Sequence, residues 1–394
     1  MKKIMSLSSF FKRIFPSLSR EEYHSAQCTL WGTASLLCAL LFSGCASTSP
    51  FQYLLIGSAA TDSASGALRL YTFDAASGEV QSVCENTQVN NPTFFCLSAD
   101  HRRLYSVGEE PQEKTPSANL FALDAEAGTI GLLQSQPTRG ASPCFITFTP
   151  DSSAIITANY MGGSISRFPL SADGRLGSAE VTAFQGHGLI PDRQEQSHPH
   201  AVYFTPSGQV LVNDLGCDCT RFAPVNYEAS LTGEGWKTLQ YKPGTGPRHL
   251  CWDANRSHAY LVSEISDEVF TLVPSADTLR VVQTLHADSL SATGSADIHL
   301  SHDGRFLYAS HRLAGDGISI FRVGPDGLLT RIAYQPCGRH PRNFLITPDD
   351  AYLLVACRDD NCVEVFRRDA KTGYLTPTGQ RIPVSAPVCV MMFQ

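Results

Sequence analysis

Apolar residues in this chain gather into runs of about five or six, each closed by turn residues, which is a pattern of short strands rather than of helices. One run is prominent because a proline opens it and a turn of the Pro-Asp or Asp-Gly kind follows. It reads Pro92-Thr-Phe-Phe-Cys-Leu, Pro143-Cys-Phe-Ile-Thr-Phe, Pro199-His-Ala-Val-Tyr-Phe and Pro247-Arg-His-Leu-Cys-Trp. It returns as Ser295-Ala-Asp-Ile-His-Leu, Pro341-Arg-Asn-Phe-Leu-Ile and Pro387-Val-Cys-Val-Met-Met. The intervals are 51, 56, 48, 48, 46 and 46 residues, and Ser295 alone lacks the proline. Self-similarity at a nearly fixed period is the mark of a repeat architecture.

After each of the first six copies comes a turn and a second apolar run. Examples are Arg103-Leu-Tyr-Ser-Val, Ala154-Ile-Ile-Thr-Ala, Ala259-Tyr-Leu-Val-Ser and Tyr352-Leu-Leu-Val-Ala. Further β-rich runs such as Ile318-Ser-Ile-Phe and Val363-Glu-Val-Phe precede Asp-Gly or Thr-Gly turns, and no long helical period competes. Repeats of this length with four strands each are propeller blades. The expectation is an all-β, seven-bladed β-propeller of four-stranded blades, a single domain over residues 51–394. The last copy lies at the C-terminus, and Tyr53-Leu-Leu-Ile-Gly reads as a second strand without its first. Pairing Val388–Phe393 with the N-terminal strands closes the ring and removes open sheet edges.

The first fifty residues read differently. Cys28 to Gly44 is apolar and almost uncharged and follows a stretch with excess positive charge, which suits the core of an export signal better than a bilayer span. It ends in Leu41-Phe-Ser-Gly-Cys45-Ala, followed by Ser47-Thr-Ser. This resembles the lipobox of bacterial lipoproteins, in which the cysteine is lipidated after cleavage. It differs in having Phe42 where Leu is usual and a long leader containing Glu21-Glu22. The expected division is a leader at 1–45 with Cys45 as the lipidation site, a short linker at 46–50, and the body. An uncleaved signal anchor and an upstream extension of the true start are the competing readings. Localisation follows: the cell envelope if the leader acts, the cytoplasm otherwise.

Beyond Cys45 the chain carries 25 basic and 35 acidic side chains, a net of -10, so nucleic-acid binding is a poor hypothesis. The ten cysteines of the body show no Cys-x-x-Cys spacing, and several sit inside apolar runs, as small buried hydrophobes do. His198-x-His200, with Asp214 and Asp218, is the nearest thing to a metal motif. No strong ligand constellation follows from these four, so no metal site is expected. Glycine-rich nucleotide loops and a Gly-x-Ser-x-Gly elbow are absent, and no cofactor is expected.

In a propeller the first strand of each blade lines the central channel. The residue after each proline begins that strand, giving Thr93, Cys144, His200, Arg248, Ala296, Arg342 and Val388 around the ring. Seventeen residues past the proline the antiparallel partner has returned to the same mouth, with Glu109, Tyr160, Glu264, Arg312 and Arg358 there and Asp214 slightly earlier. Ion pairs plugging a hole would use the same residue types. The concentration of His200, Arg248, Glu264 and Arg312 in three consecutive blades points instead to a site.

These residues also carry a resemblance. Ser197-His-Pro-His-Ala, Asn213-Asp-Leu-Gly-Cys-Asp, Gly246-Pro-Arg-His-Leu, Ser263-Glu-Ile, Asp297-Ile-His-Leu-Ser-His-Asp-Gly-Arg-Phe-Leu-Tyr-Ala-Ser-His-Arg312 and Gly338-Arg-His-Pro-Arg-Asn-Phe are similar to the lactonase family of seven-bladed propellers. That family holds bacterial 6-phosphogluconolactonases and fungal carboxymuconate cycloisomerases. The resemblance implies a site of His200, Arg248, Glu264 and Arg312. It differs at His311, where the family often has Asn, and at Arg358, where it often has an amide.

Lactone hydrolysis needs an activated water, a stabilised oxyanion and a protonated leaving alkoxide. Arg248 and Arg312 are permanent cations suited to a carboxylate, a phosphate or an oxyanion. His200 beside them should stay neutral and act as base, with Glu264 as its positioner; the reverse assignment stays open. Arg342, His198, His249 and Asp214 are expected to contact substrate, although Asp214-Leu-Gly also reads as a turn at the rim. The expected partner is a small (phospho)sugar lactone, with membrane contact only through a lipid anchor and a monomeric protein. The other classes in play are a non-catalytic propeller that binds a sugar acid or partner protein, and a carboxymuconate-type cycloisomerase.

Overall fold

Seven antiparallel sheets of four strands each make up the body of the protein in a computed structural model. It describes residues 51–61, 66–109, 115–223, 231, 235–288 and 293–394; Cys45 and the leader lie outside them. Blade 1 combines Phe51–Ser58, Leu68–Asp74 and Val80–Asn86 with the C-terminal strand Pro387–Phe393 as its innermost member. Blades 2 to 7 follow in chain order, with inner strands Phe95–Leu97, Pro143–Phe148, Pro199–Phe204, Pro247–Trp252, Ile298–Leu300 and Pro341–Ile346. The expected closure is present: Tyr53 pairs with Phe393, Leu55 with Met391 and Gly57 with Cys389.

Burial is most complete in the second strand of each blade and falls off towards the outer one, and the sequence follows it. Second strands such as Ala259–Ser263 and Tyr352–Cys357 are buried at every position because a neighbouring blade covers each face. Outer strands such as Thr129–Pro137 alternate exposed and covered residues, the pattern of a half-solvated edge. Among the described residues, seven apolar clusters fill the joints between adjacent blades. One joins blades 7 and 1 through Leu54, Phe73, Leu354 and Val390, and another joins blades 5 and 6 through Val262, Ile298 and Phe321. No helix among the described residues is long and apolar enough to cross a membrane.

A polar latch repeats between blades. Tyr105, Tyr260 and Tyr308, on second strands, donate from their hydroxyls to the carbonyls of Gly174, Gly327 and Gly373 in the outer turn of the next blade, at 2.6, 2.9 and 2.8 Å. These are the Asp-Gly and Thr-Gly turns read from the sequence. Their glycines hold φ of +79°, +75° and +78°, and a Cβ on Gly373 would collide with Phe306 at 2.3 Å.

Candidate active site

The site begins with a local irregularity of the inner strands. In blades 3, 4, 5 and 7 the pairing of first and second strands slips by one residue directly after the proline. The slipped residue is Cys144, His200, Arg248 and Arg342 in turn. A β-bulge leaves such a residue out of the ladder and re-aims its side chain. Proline suits the first place in each strand because it has no N–H to lose.

Glu264, just past the second strand of blade 5, is the centre of the cluster. Only 7% of it is exposed. Its Oε2 accepts from Arg248 Nε at 2.9 Å and lies 3.0 Å from Arg312 Nη2, while Oε1 accepts from Arg193 Nη2. Burial by itself would raise this carboxyl, but Arg312, Arg248 and Arg193 together hold it far below the usual carboxylate range. All its oxygens face guanidinium groups, so it is a poor base and a good organiser of cations.

The arginines are committed to different degrees. Arg248 is buried, and its Nη1 donates to the Ala296 carbonyl. Arg312 donates from Nε to the Gly294 carbonyl at 2.8 Å and from Nη1 to His340 Nε2 at 3.3 Å. Burial brings Arg312 down to about 9 against the pull of Glu264, which leaves it cationic at neutral pH. His340 is correspondingly neutral, drawn down to about 3 by burial, Arg312 and Arg358. Arg342 is the least engaged, 22% exposed in its side chain, with Glu109 Oε2 3.9 Å from its Nη2.

His200 lies against this cationic group and is 4% exposed. Burial, then Arg248, His249, Arg342 and Arg312, push its pKa well below the ordinary imidazole value, so the ring is neutral at pH 7. Its Nδ1 is sealed from solvent without a partner, which leaves Nε2 as the nitrogen open to the channel. Cys144 is no competing nucleophile: burial pushes its thiol up to about 12, and its Sγ donates to the His200 carbonyl.

The other expected substrate contacts, Asp214, His198 and His249, are set against protein partners. Asp214 is fully buried and saturated, accepting from the His198 and Cys217 N–H groups on Oδ1 and from Ser197 Oγ and Arg221 on Oδ2. It caps a single 3₁₀ turn at Leu215–Cys217, so the rim-turn reading describes it. His198 is stacked on Tyr160 at 4.3 Å, with Nδ1 bonded to the Tyr160 carbonyl and Nε2 3.2 Å from Glu195. Both its nitrogens are engaged within the protein. His249 sits beside His200, with Nδ1 2.8 Å from Asp297 Oδ1 and its ring edge-on to Phe94 and Phe145.

Arg193 escaped the sequence reading. It belongs to a one-turn helix, Pro191–Gln194, anchored by buried Gln194, whose Nε2 donates to the Leu215 carbonyl and to Asp218 Oδ1. Asp218 also accepts from the N–H groups of Gly244 and Gly246, tying the same anchor to the strand that carries Arg248. The signal in the sequence was the 56-residue interval before Pro199, the longest of the six. Elsewhere among the described residues, buried Asp267, Asp288 and His311 bring three potential ligand atoms within 4.8 Å of one another, with His311 Nδ1 already bonded to Asp267 and Ser295.

Residues 53–392 match the family model described as lactonase, seven-bladed β-propeller. A 6-phosphogluconolactonase of Formosa agariphila is 32% identical over 349 residues, covering 86% of this chain and 99% of its own. The Bacillus subtilis 6-phosphogluconolactonase is 30% identical over 349 residues, covering 85% and 97%. Among solved structures, the Pseudomonas aeruginosa periplasmic gluconolactonase superposes with a TM-score of 0.80 at 27% identity, covering 87% of this chain and 99% of that one. A Bacteroides fragilis structure, ascribed provisionally to 6-phosphogluconolactonase, reaches a TM-score of 0.83 at 39% identity, covering 89% and 99%. Blade count, ring closure, motifs and matched length agree, and the chain belongs to the lactonase family of seven-bladed β-propellers.

Proposed function

We propose that the protein is a lactone hydrolase of the 6-phosphogluconolactonase kind, opening a (phospho)sugar lactone to its acid. The observation that carries this reading is a neutral His200 with Nε2 open, set beside three arginines gathered on one carboxylate. Water attacks the lactone carbonyl while His200 Nε2 takes its proton. The developing oxyanion meets Arg248 and Arg312, already oriented by Glu264 and by backbone carbonyls, so little reorganisation is needed as charge appears. The ring C–O bond then breaks and the proton returns to the leaving alkoxide. Arg342, the least committed guanidinium, is suited to gripping an anionic group on the substrate.

Hydrolysis of a lactone panel by the purified body, followed in a pH-stat against the spontaneous rate, tests this. The panel holds gluconolactone, its 6-phosphate and a carboxymuconate-type lactone. Acceleration of a sugar lactone is expected. Turnover of the last alone would favour the cycloisomerase class, and turnover of none would favour a binding propeller.

We also propose that the protein resides in the cell envelope through a lipid on Cys45. Cys45→Ser is expected to leave the precursor unprocessed or to release it from the membrane fraction. A Cys45→Ser protein with unchanged mass and membrane extraction would defeat this reading.

A further inference from the structure

Two buried ring nitrogens in the channel lack a protein partner: His200 Nδ1 and His249 Nε2. They belong to neighbouring rings, 5.1 Å apart at their centroids and inclined at 70°. Buried polar atoms are almost always paired, and a water held between two of them is the common way.

The far side of His249 sets the direction of the hydrogen bonds. Its Nδ1 faces Asp297 Oδ1, and an ionised carboxylate can only accept. Asp297 is buried and ionised: burial opposes its charge, but His299 and His249 outweigh it. It also accepts from the Ile298 N–H, from His299 Nε2 at 2.8 Å and from Asn343 Nδ2. His249 therefore carries its proton on Nδ1 and offers a lone pair on Nε2. A water that donates to this lone pair has its oxygen free to accept from a proton on His200 Nδ1. That leaves the lone pair of His200 on Nε2, the nitrogen open to the channel.

We propose that Asp297 and His249, joined to His200 through one buried water, form a relay that fixes His200 as the Nδ1–H tautomer with Nε2 as its basic nitrogen. The catalytic part rests on the reading of His200 as the base. When Nε2 takes a proton from the attacking water, the Nδ1 proton passes to the bridging water, which gives one of its own to His249 Nε2. Proton count is conserved, and the reverse transfer supplies the alkoxide. The charge moves one ring away from Arg248, Arg312 and Arg342 and towards Asp297. Glu264 lies on the arginine side and His299 beyond Asp297. Phe94 and Phe145, edge-on to His249 at 5.9 and 5.7 Å, leave bulk water little room there. In this scheme Asp297 and His249 are positioning residues.

Nitrogen-15 NMR of histidine-labelled protein reads the tautomer without substrate. His200 is expected as the Nδ1–H form at pH 7, and His249→Phe, which keeps the bulk but removes the acceptor, should shift it towards Nε2–H. With substrate, the same variant should lose about 10²-fold in kcat at nearly constant KM, and His249→Gln, which retains an acceptor, should recover part of both effects. Should His249→Phe fail to fold, Asp297→Asn supplies the comparison, because a neutral amide no longer holds His249 in one tautomer. A parent His200 in the Nε2–H form, or a tautomer unchanged by these variants, overturns the relay. If no lactone is hydrolysed, the proposed activity falls, and the NMR comparison still decides the relay.

Discussion

A chain ending at Ala386 is expected to be insoluble or grossly destabilised when expressed. The missing strand, Pro387–Phe393, is the innermost member of blade 1 and pairs along Tyr53 to Ser58. Its Val390 belongs to the apolar joint with blade 7, and Cys389 and Phe393 to the joint with blade 2. Removal uncovers Leu54, Leu55 and Ile56, all fully buried, and leaves a row of unpaired backbone groups beside them. One end of the ring then has an open, apolar edge, the kind of surface that pairs with another chain. Soluble yield and thermal melting check this. A truncated protein that melts like the parent would mean that the ring does not depend on this strand.

The second large effect is expected at His200 and Arg312. His200→Ala should lower kcat by about 10²- to 10⁴-fold with KM nearly unchanged, because a general base acts in the transition state. Arg312→Ala should cost about 10²- to 10³-fold in kcat if it meets the oxyanion. A rise in KM at constant kcat would make it a substrate grip instead. Arg312 is buried, and leaving a buried charge unpaired costs about 3–5 kcal/mol. Glu264 keeps Arg193 and Arg248 in this variant, so the loss of stability should be smaller, and melting curves must accompany the kinetics.

The pH profile offers a further check on His200. Its folded pKa is depressed, so the acid limb of kcat/KM should lie well below the ordinary histidine value of about 6.5. The same depression means that the unfolded chain binds this proton first. The stabilising share of His200 is complete above about pH 6.5 and is lost as pH falls below it. Full activity in both the His200 and Arg312 variants would show that the site lies elsewhere.

Much of this molecule was legible in its sequence because a propeller is a local code repeated. Each blade needs a short inner strand, turns of stated chemistry and second strands apolar on both faces, and these recur at measurable intervals. The Pro-x pairs located His200, Arg248 and Arg342, and the count of seventeen residues located Glu264 and Arg312, since antiparallel pairing turns sequence distance into spatial distance. What the pattern could not contain is how far each polar group is already engaged. Asp214 and His198 looked like ligands by type and position, yet groups from other segments, Ser197 for the first and Tyr160 for the second, occupy their polar atoms. Arg193 reaches Glu264 from a segment with no repeat to flag it, and Asp297 gained its role only when ring curvature set it against His249. Local periodicity determined the blades and the addresses of the polar side chains. Closure of the ring decided which of those groups face one another, because hydrogen bonding and charge act across space and not along the chain.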